Sequence, residues 1–337
     1  MLLKPRLLSG ITNTGKITIG NYIGVIQNFI KLQEEYDVFI FVANLHAIVS
    51  IKNHDHHVLK NNIRDLVALY VACGLDPNKI TIFAQSDILE HCQLGHILLC
   101  HTSMGELNRM TQFKDKAQAF KQHNNTETIP TGLFTYPALM AADILLYDAT
   151  IVPVGVDQKQ HLELTRNIAI RMNNKYGNIF TIPEPYIAPN GKKIMNLQNP
   201  LKKMSKSHEN PKTYISLLDN LNDVTTKIKS AVTDSENKIF YDEINKPGIS
   251  NLLNIYCAFT NTTIEEATNE FSDQNYGAFK EKVAKVVCHQ LEIIQRKYNE
   301  TIANNKWKHW LLQGKEKATK IAYKKLQLIQ DKIGINY

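Results

Sequence analysis

Hydrophobic and polar positions along the chain fall into two alternating regimes. Residues 6–11, 38–43, 80–85 and 150–155 are short, largely apolar runs. Residues 38–43 (Val-Phe-Ile-Phe-Val-Ala) contain no polar position, the pattern of a strand buried on both faces. Between these runs, residues 19–35 and 57–73 repeat their apolar side chains with helical period, and Gly74 stands where a C-cap belongs. A further helical stretch is predicted from the end of the third run to about residue 120. Strand and helix in alternation predict an α/β fold, a parallel sheet with helices on both faces.

The pattern changes twice. Residues 116–130 turn polar and aperiodic, which predicts a surface loop. Between Thr181 and Lys203, the residues Pro183, Pro185, Pro189, Gly191 and Pro200 accumulate, the composition of a domain junction. Beyond it the chain is helical in pattern. A length of 337 residues is long for one core. The predicted division is 1–194, 195–290 and a C-terminal helical part, 291–337, packing back on the first.

Composition narrows the class. Hydrophobic residues make up 43% and charged residues 21%, an ordinary globular balance. No run approaches the roughly 20 apolar residues that span a bilayer, and the start, Met1 to Arg6, has no cleavable-signal pattern, so a cytoplasmic protein without a membrane partner is expected. The five cysteines (Cys73, Cys92, Cys100, Cys257, Cys288) are odd in number and lack a Cys-x-x-Cys pair, which argues against a disulfide framework. Cys92, His96 and Cys100 recur every four residues beside His91 and His101. The leucines between them favour packing over metal ligation, and no metal site is expected there.

Charge is concentrated at the end of the chain. Net charge is +7, and residues 301–337 hold eight lysines against Glu316 and Asp331. On a helical wheel Lys317, Lys320 and Lys324 share one side, with Ala318, Ala322, Leu326, Ile329 and Ile333 opposite. That is a packed helix with a basic outer face, which also suits a polyanionic partner.

Four segments carry candidate chemistry. Residues 10–21 join the first strand to the first helix, where backbone N–H groups can meet phosphate. Gly10, Gly15 and Lys16 have Walker A spacing, but Ile17 replaces the hydroxyl residue that would hold magnesium, so a P-loop is disfavoured. In residues 136–147, Tyr136, Met140, Asp143 and Tyr147 fall on one helix face among Ala, Leu and Ile, with Pro137 at the expected helix start. An acid in such surroundings must be paired, either by the chain itself or by a ligand N–H. Residues 151–161 end a strand in Gly155 and then present Asp157 and Gln158, at the strand end where α/β sheets bind ligands. Lys202-Lys203-Met204-Ser205-Lys206-Ser207 places lysines and hydroxyls where a loop can close over a triphosphate.

Together these segments resemble the class I aminoacyl-tRNA synthetases, and within them the bacterial tryptophanyl type. Thr18-Ile19-Gly20-Asn21 is similar to the first class I signature, with Thr and Asn in place of the usual histidines; Lys203-Met204-Ser205-Lys206-Ser207 matches the second letter for letter. Residues 105–114, 136–147, 155–161 and 247–253 (Pro-Gly-Ile-Ser-Asn-Leu-Leu) are similar to further blocks of the family, so the likeness runs nearly end to end. The resemblance implies a Rossmann-like catalytic domain, a helical anticodon-binding domain that includes the second signature, and a homodimer.

Position by position, it implies that Asp143 accepts the indole N–H and that Tyr136 and Gln158 receive the tryptophan ammonium. Gly10, His46, Met140, Val152 and Val154 would shape that pocket. Thr12, Asn13, Thr14, Thr18, Gly20, Asn21, Gly155, Val156, Asp157 and Ile194 fall at ATP positions, joined by Lys203, Met204, Ser205, Lys206 and Ser207. Lys116, Lys203 and Lys206 would be the catalytic cations. Departures from the family pattern are Thr12-Asn13 for Gln-Pro, Leu8 for a phenylalanine, Val156 for an acid and Ala43-Asn44-Leu45-His46 for Asp-x-His.

The implied reaction uses L-tryptophan, ATP with Mg2+, and tRNA(Trp). The amino-acid carboxylate attacks the α-phosphorus, and a terminal tRNA ribose hydroxyl then takes the aminoacyl group. A tyrosine-specific ligase of the same subclass and a non-catalytic tRNA- or tryptophan-binding relative are the alternatives the sequence leaves.

Overall fold

The computed structural model describes every residue except 1–3, 13–15, 51–55, 122–128, 156–157, 188–192 and 207–209. Strands β1 (Arg6–Ile11), β2 (Asp37–Val42), β3 (Ile80–Ala84), β4 (Ile151–Pro153) and β5 (Glu184–Tyr186) form one parallel sheet in the order β3-β2-β1-β4-β5. Chain order runs one way from β1 through β3 and the other way through β4 and β5. A crevice therefore opens at the carboxyl ends of β1 and β4, the usual ligand position in such sheets.

β5 lies inside the proline-rich segment whose composition predicts a domain junction. It is an edge strand, and an edge tolerates Pro185, whose missing N–H faces away from the ladder. Side chains alternate across the sheet. Leu7, Val38, Ile40, Val42, Ile80 and Ile82 enter one core, which continues into the helical half through Ile215, Leu252 and Phe279. Leu8, Phe39, Phe41 and Phe83 enter the other.

Helix α1 (Ile19–Asn21), a π-helical segment (Tyr22–Ile26) and α2 (Gln27–Leu32) follow without a break and make up the helix expected over 19–35. Next come α3 (Asn44–Ser50) and α4 (His56–Ala72), after which Gly74 adopts φ +119°. The single helix expected from β3 to residue 120 is three: α5 (Glu90–Leu99), α6 (Met104–Asn108) and α7 (Thr111–Lys121). Ser103 and Glu106 form a reciprocal capping box that starts α6, a local signal stronger than the apolar period. α7 also carries residues 116–121, where the polar pattern predicts loop; the rest of that stretch to 128 lies outside the described residues.

α8 (Thr131–Leu145) starts ahead of Tyr136 and holds Pro137 in its interior, whereas the sequence pattern puts that proline at the helix start. There Pro137 costs one helical hydrogen bond. α9 (Lys159–Tyr176), α10 (Leu221–Lys229), α11 (Pro247–Thr260), α12 (Ile264–Glu270), α13 (Tyr276–Ala303) and α14 (Lys306–Ile333) complete the chain. α13 runs unbroken through residue 290, so the expected C-terminal division does not fall between elements.

α14 buries Ala318, Ala322, Leu326 and Ile329 in the second core, the apolar side of the wheel, and its lysines face outward apart from Lys325, which is buried and bonded to Asp148. A side chain at Gly314 would meet the Ile82 carbonyl oxygen at 1.8 Å. Glycine therefore lets the helix close over edge strand β3. None of the described helices is long and apolar enough to cross a membrane.

Candidate active site

Beyond the ends of β1, β2 and β4 lies a cavity of about 340 Å³. Gly10, Thr12, His46, Lys116, Tyr136, Met140, Asp143, Val152, Val154, Gly155 and Gln158, scattered through the sequence, all line it, as does Leu8. Its walls are largely apolar with a few convergent polar groups, the usual make-up of a small-molecule site. Gly10 has a steric reason: a Cβ there would lie 2.4 Å from the Phe41 ring, which crosses the cavity wall.

Asp143, on α8, is fully buried. Gln85 Nε2 donates to both its oxygens, at 2.8 and 2.9 Å. His46 Nε2 donates to Oδ2 at 2.8 Å and His91 Nδ1 to Oδ1 at 2.5 Å. On its other side the His91 ring meets the Tyr147 hydroxyl at 2.9 Å from Nε2. Burial alone would raise the Asp143 pKa. The hydrogen bonds and electrostatic attraction of His46 and His91 outweigh it and hold the carboxyl down at about 2. Burial and the neighbouring Asp143 charge push the Tyr147 phenol well above its ordinary value. Of the two partners open from sequence, chain or ligand, the chain supplies three donor nitrogens. Two carboxylate oxygens offer about four acceptor positions, and the four hydrogen bonds from these nitrogens match that number, so a ligand N–H would share an acceptor position with a chain donor or displace one.

The rim is polar. The Tyr136 hydroxyl lies 2.6 Å from His161 Nε2 and 3.4 Å from Gln112 Oε1, and burial pushes the phenol up to about 12. The Lys116 ammonium lies 5.5 Å from the centre of the Tyr136 ring, so this cation sits at the mouth of the cavity. The Gln158 N–H donates to the Gly155 carbonyl just ahead of α9.

The two signature segments meet beside this cavity rather than in it. Thr18 caps α1, and its backbone N–H and hydroxyl both donate to Asn21 Oδ1 at 3.0 Å, so these two side chains are engaged with each other. A Cβ on Gly20 would lie 3.6 Å from Ile194 and 3.7 Å from Met204, which brings the first signature against the second. Ile19 N–H donates to the Ile215 carbonyl and Leu217 N–H to the Ile17 carbonyl, both at 2.9 Å, tying the turn to the helical half.

Residues 194–204 form a short hairpin, with Met204 N–H on the Ile194 carbonyl at 2.9 Å and Asn196 N–H on the Lys202 carbonyl at 2.8 Å. Lys203 and Ser205 are exposed; Lys206 is half-buried, and burial lowers its pKa. Thr18, Gly20, Asn21, Ile194, Lys203, Met204, Ser205 and Lys206 thus form a second group, apart from the cavity lining. Asn13, Thr14, Val156, Asp157 and Ser207 lie outside the described residues.

Gln85 and His91 are site residues that sequence reasoning misses. His91 stands out there only within the Cys92–His96–Cys100 pattern, and the fold separates them: His91 turns inward to Asp143, while Cys92 and Cys100 are exposed. Their exposure also departs from the packed role that the neighbouring leucines suggest.

Comparison with known proteins extends this picture. The family described as tRNA synthetases class I (W and Y) matches residues 3–292. The tryptophan–tRNA ligase of Malacoplasma penetrans is 51% identical over 330 residues, 98% of each chain. The crystal structure of tryptophanyl-tRNA synthetase from Mycoplasma pneumoniae superposes with a TM-score of 0.87 at 41% identity, covering 99% of both chains. The Campylobacter jejuni tryptophanyl-tRNA synthetase, solved with ADP and tryptophan, gives 0.83 at 35% identity over 98% of this chain and 99% of that one.

Proposed function

Since this chain belongs to the class I tRNA synthetases of the tryptophan and tyrosine group, we infer that it is a tryptophan–tRNA ligase, which activates L-tryptophan with ATP and transfers it to tRNA(Trp). The observation that carries the amino-acid assignment is Asp143, a buried carboxylate facing a largely apolar cavity with a polar rim. The N–H of an indole ring packed on Met140, Val152 and Val154 would share that carboxylate with the chain's donors or take the place of one. Tyr136 and Gln158, on the polar rim, suit the ammonium group.

Activation joins two groups of residues. The tryptophan carboxylate is already a nucleophile, so the chain needs to supply alignment and positive charge rather than a base. ATP then lies between the cavity and the hairpin, its adenosine along Gly20 and Gly155 and its phosphates toward Lys203 and Lys206. Lys116, at the cavity mouth, faces the place where the two substrates meet. As pyrophosphate leaves, these ammonium groups offset the charge that develops on it.

Among the described residues no group of three or more His, Cys, Asp or Glu side chains is arranged to hold a metal ion. Magnesium is assigned to the nucleotide phosphates as part of the substrate, and no step is routed through it. The helical part over 195–290 is assigned to the tRNA anticodon. A cytoplasmic homodimer is the state that fits the family. ATP–pyrophosphate exchange with each of the twenty standard amino acids tests the assignment: tryptophan should support exchange and tyrosine should not, and the reverse would overturn it.

A further inference from the structure

The segment Pro247–Leu253 has no part in the mechanism above, yet its Asn251 reaches the hairpin that carries Lys203 and leads into Lys206. Met195 and Lys203 face each other as an antiparallel pair, but the hairpin bonds fall on either side of them, from Met204 to Ile194 and from Asn196 to Lys202. In such a pair the N–H and C=O of Met195 point away from the partner strand. The buried Asn251 carboxamide takes both: its Oδ1 accepts from Met195 N–H at 2.8 Å and its Nδ2 donates to the Met195 carbonyl at 3.0 Å. A side chain from α11 thereby replaces a third strand along the outer edge of the hairpin.

The other edges of this junction are fixed as well. Gly248, one turn before Asn251, is packed so tightly that a Cβ would lie 2.1 Å from the Val232 carbonyl oxygen. Val232 N–H in turn donates to the Leu197 carbonyl at 2.8 Å. Asn251 therefore stands on a rigid base and holds the hairpin stem opposite Lys203. A carboxamide is the side chain that offers one donor and one acceptor side by side; aspartate keeps the acceptor and loses the donor.

We infer that Asn251 is a positioning residue for tryptophan activation, coupling the helical half to the lysine-bearing loop by fixing the register of the 194–204 hairpin. This rests on the reading of Lys206 as a catalytic cation. The test is single-turnover formation of tryptophanyl-adenylate by Asn251→Ala, Asn251→Asp, Lys206→Ala and the double variants.

Loss of one well-placed hydrogen bond corresponds to roughly a tenfold change in rate. Asn251→Asp, which loses one bond, should slow activation by about that factor and Asn251→Ala, which loses both, by more, while tryptophan affinity changes by less than about twofold. In the Lys206→Ala background the same changes should cost less than in the wild type, because the loop they position has lost one of its two cations. Ser250→Ala is the control: this buried neighbour bonds the Asp242 N–H at 2.8 Å rather than the hairpin, and its loss should lower thermal stability without slowing activation.

Full activation by either folded Asn251 variant, or effects that multiply with those of Lys206→Ala, would overturn the inference. Should Lys206→Ala itself activate normally, the functional reading of the loop fails instead, and the two failures are distinguishable. If Asn251→Ala does not fold, Asn251→Asp, which keeps the size of the side chain, decides.

Discussion

His46 Nε2 lies 2.8 Å from Oδ2 of Asp143, which ties a half-buried residue of the cavity wall to a fully buried acid. With His91 and Gln85 on the same carboxylate, the group meant to greet the ligand is also a hub of the fold.

Removing that hub strands buried donors. Breaking a buried ionic network by deleting one partner costs about 3–5 kcal/mol. Asp143→Ala should therefore lose stability on that order in denaturant titration, with Asp143→Asn losing less. A wild-type midpoint for the alanine variant would show that the network contributes nothing.

The same carboxylate sets a pH dependence. Its folded pKa of about 2 is depressed below the ordinary aspartate value. It therefore contributes stability that is fully present above about pH 4 and is lost as pH falls through about 2. The stability gap between wild type and Asp143→Asn should narrow over that window. A gap that stays constant down to pH 2 would contradict the assigned shift.

Lys206 is held at a lowered pKa by burial. Lys206→Ala should slow adenylate formation about a hundredfold, the scale of one preorganised charge on a developing anion, with little change in tryptophan affinity. In the wild type, activation should decline on the alkaline side at a lower pH than an exposed lysine would give. Lys206→Arg should move that decline upward. A decline at the same pH in both proteins would assign it to another group.

Gly314 presses α14 onto β3, with the Ile82 carbonyl oxygen 1.8 Å from where a Cβ would stand. That neighbour is backbone and yields poorly, so Gly314→Ala should cost about 3 kcal/mol through overpacking. Thermal unfolding measures the loss; an unchanged melting temperature would mean the helix docks with slack.

Much of this architecture is written in local pattern. The continuous apolar run of β2 and the wheel of α14, with Ala318, Ala322, Leu326 and Ile329 on one side, specify buried faces by periodicity alone. β5 escapes such a reading because its prolines look like a breaker, and only its place at the sheet edge makes Pro185 tolerable. The helix start misplaced at Pro137 has the same origin: packing of α8 against its neighbours overrides a local start signal.

Within the site, Asp143, Tyr136 and Met140 are legible from their shared helical face. The partners of Asp143 are not, since Gln85 and His91 reach it from across 58 and 52 residues of chain, and no spacing rule encodes a tertiary contact. Phe41, whose ring explains Gly10, is hidden in the same way inside a strand that reads only as apolar.

The most direct measurement compares tryptophan with the analogue whose indole N–H is replaced by oxygen, using wild-type protein and ATP–pyrophosphate exchange, so that shape is kept and one donor is lost. A site built around that hydrogen bond should lower kcat/KM for the analogue by roughly 10⁴-fold or more. Equal kcat/KM for the two would mean that Asp143 does not receive the indole and that tryptophan specificity has another origin.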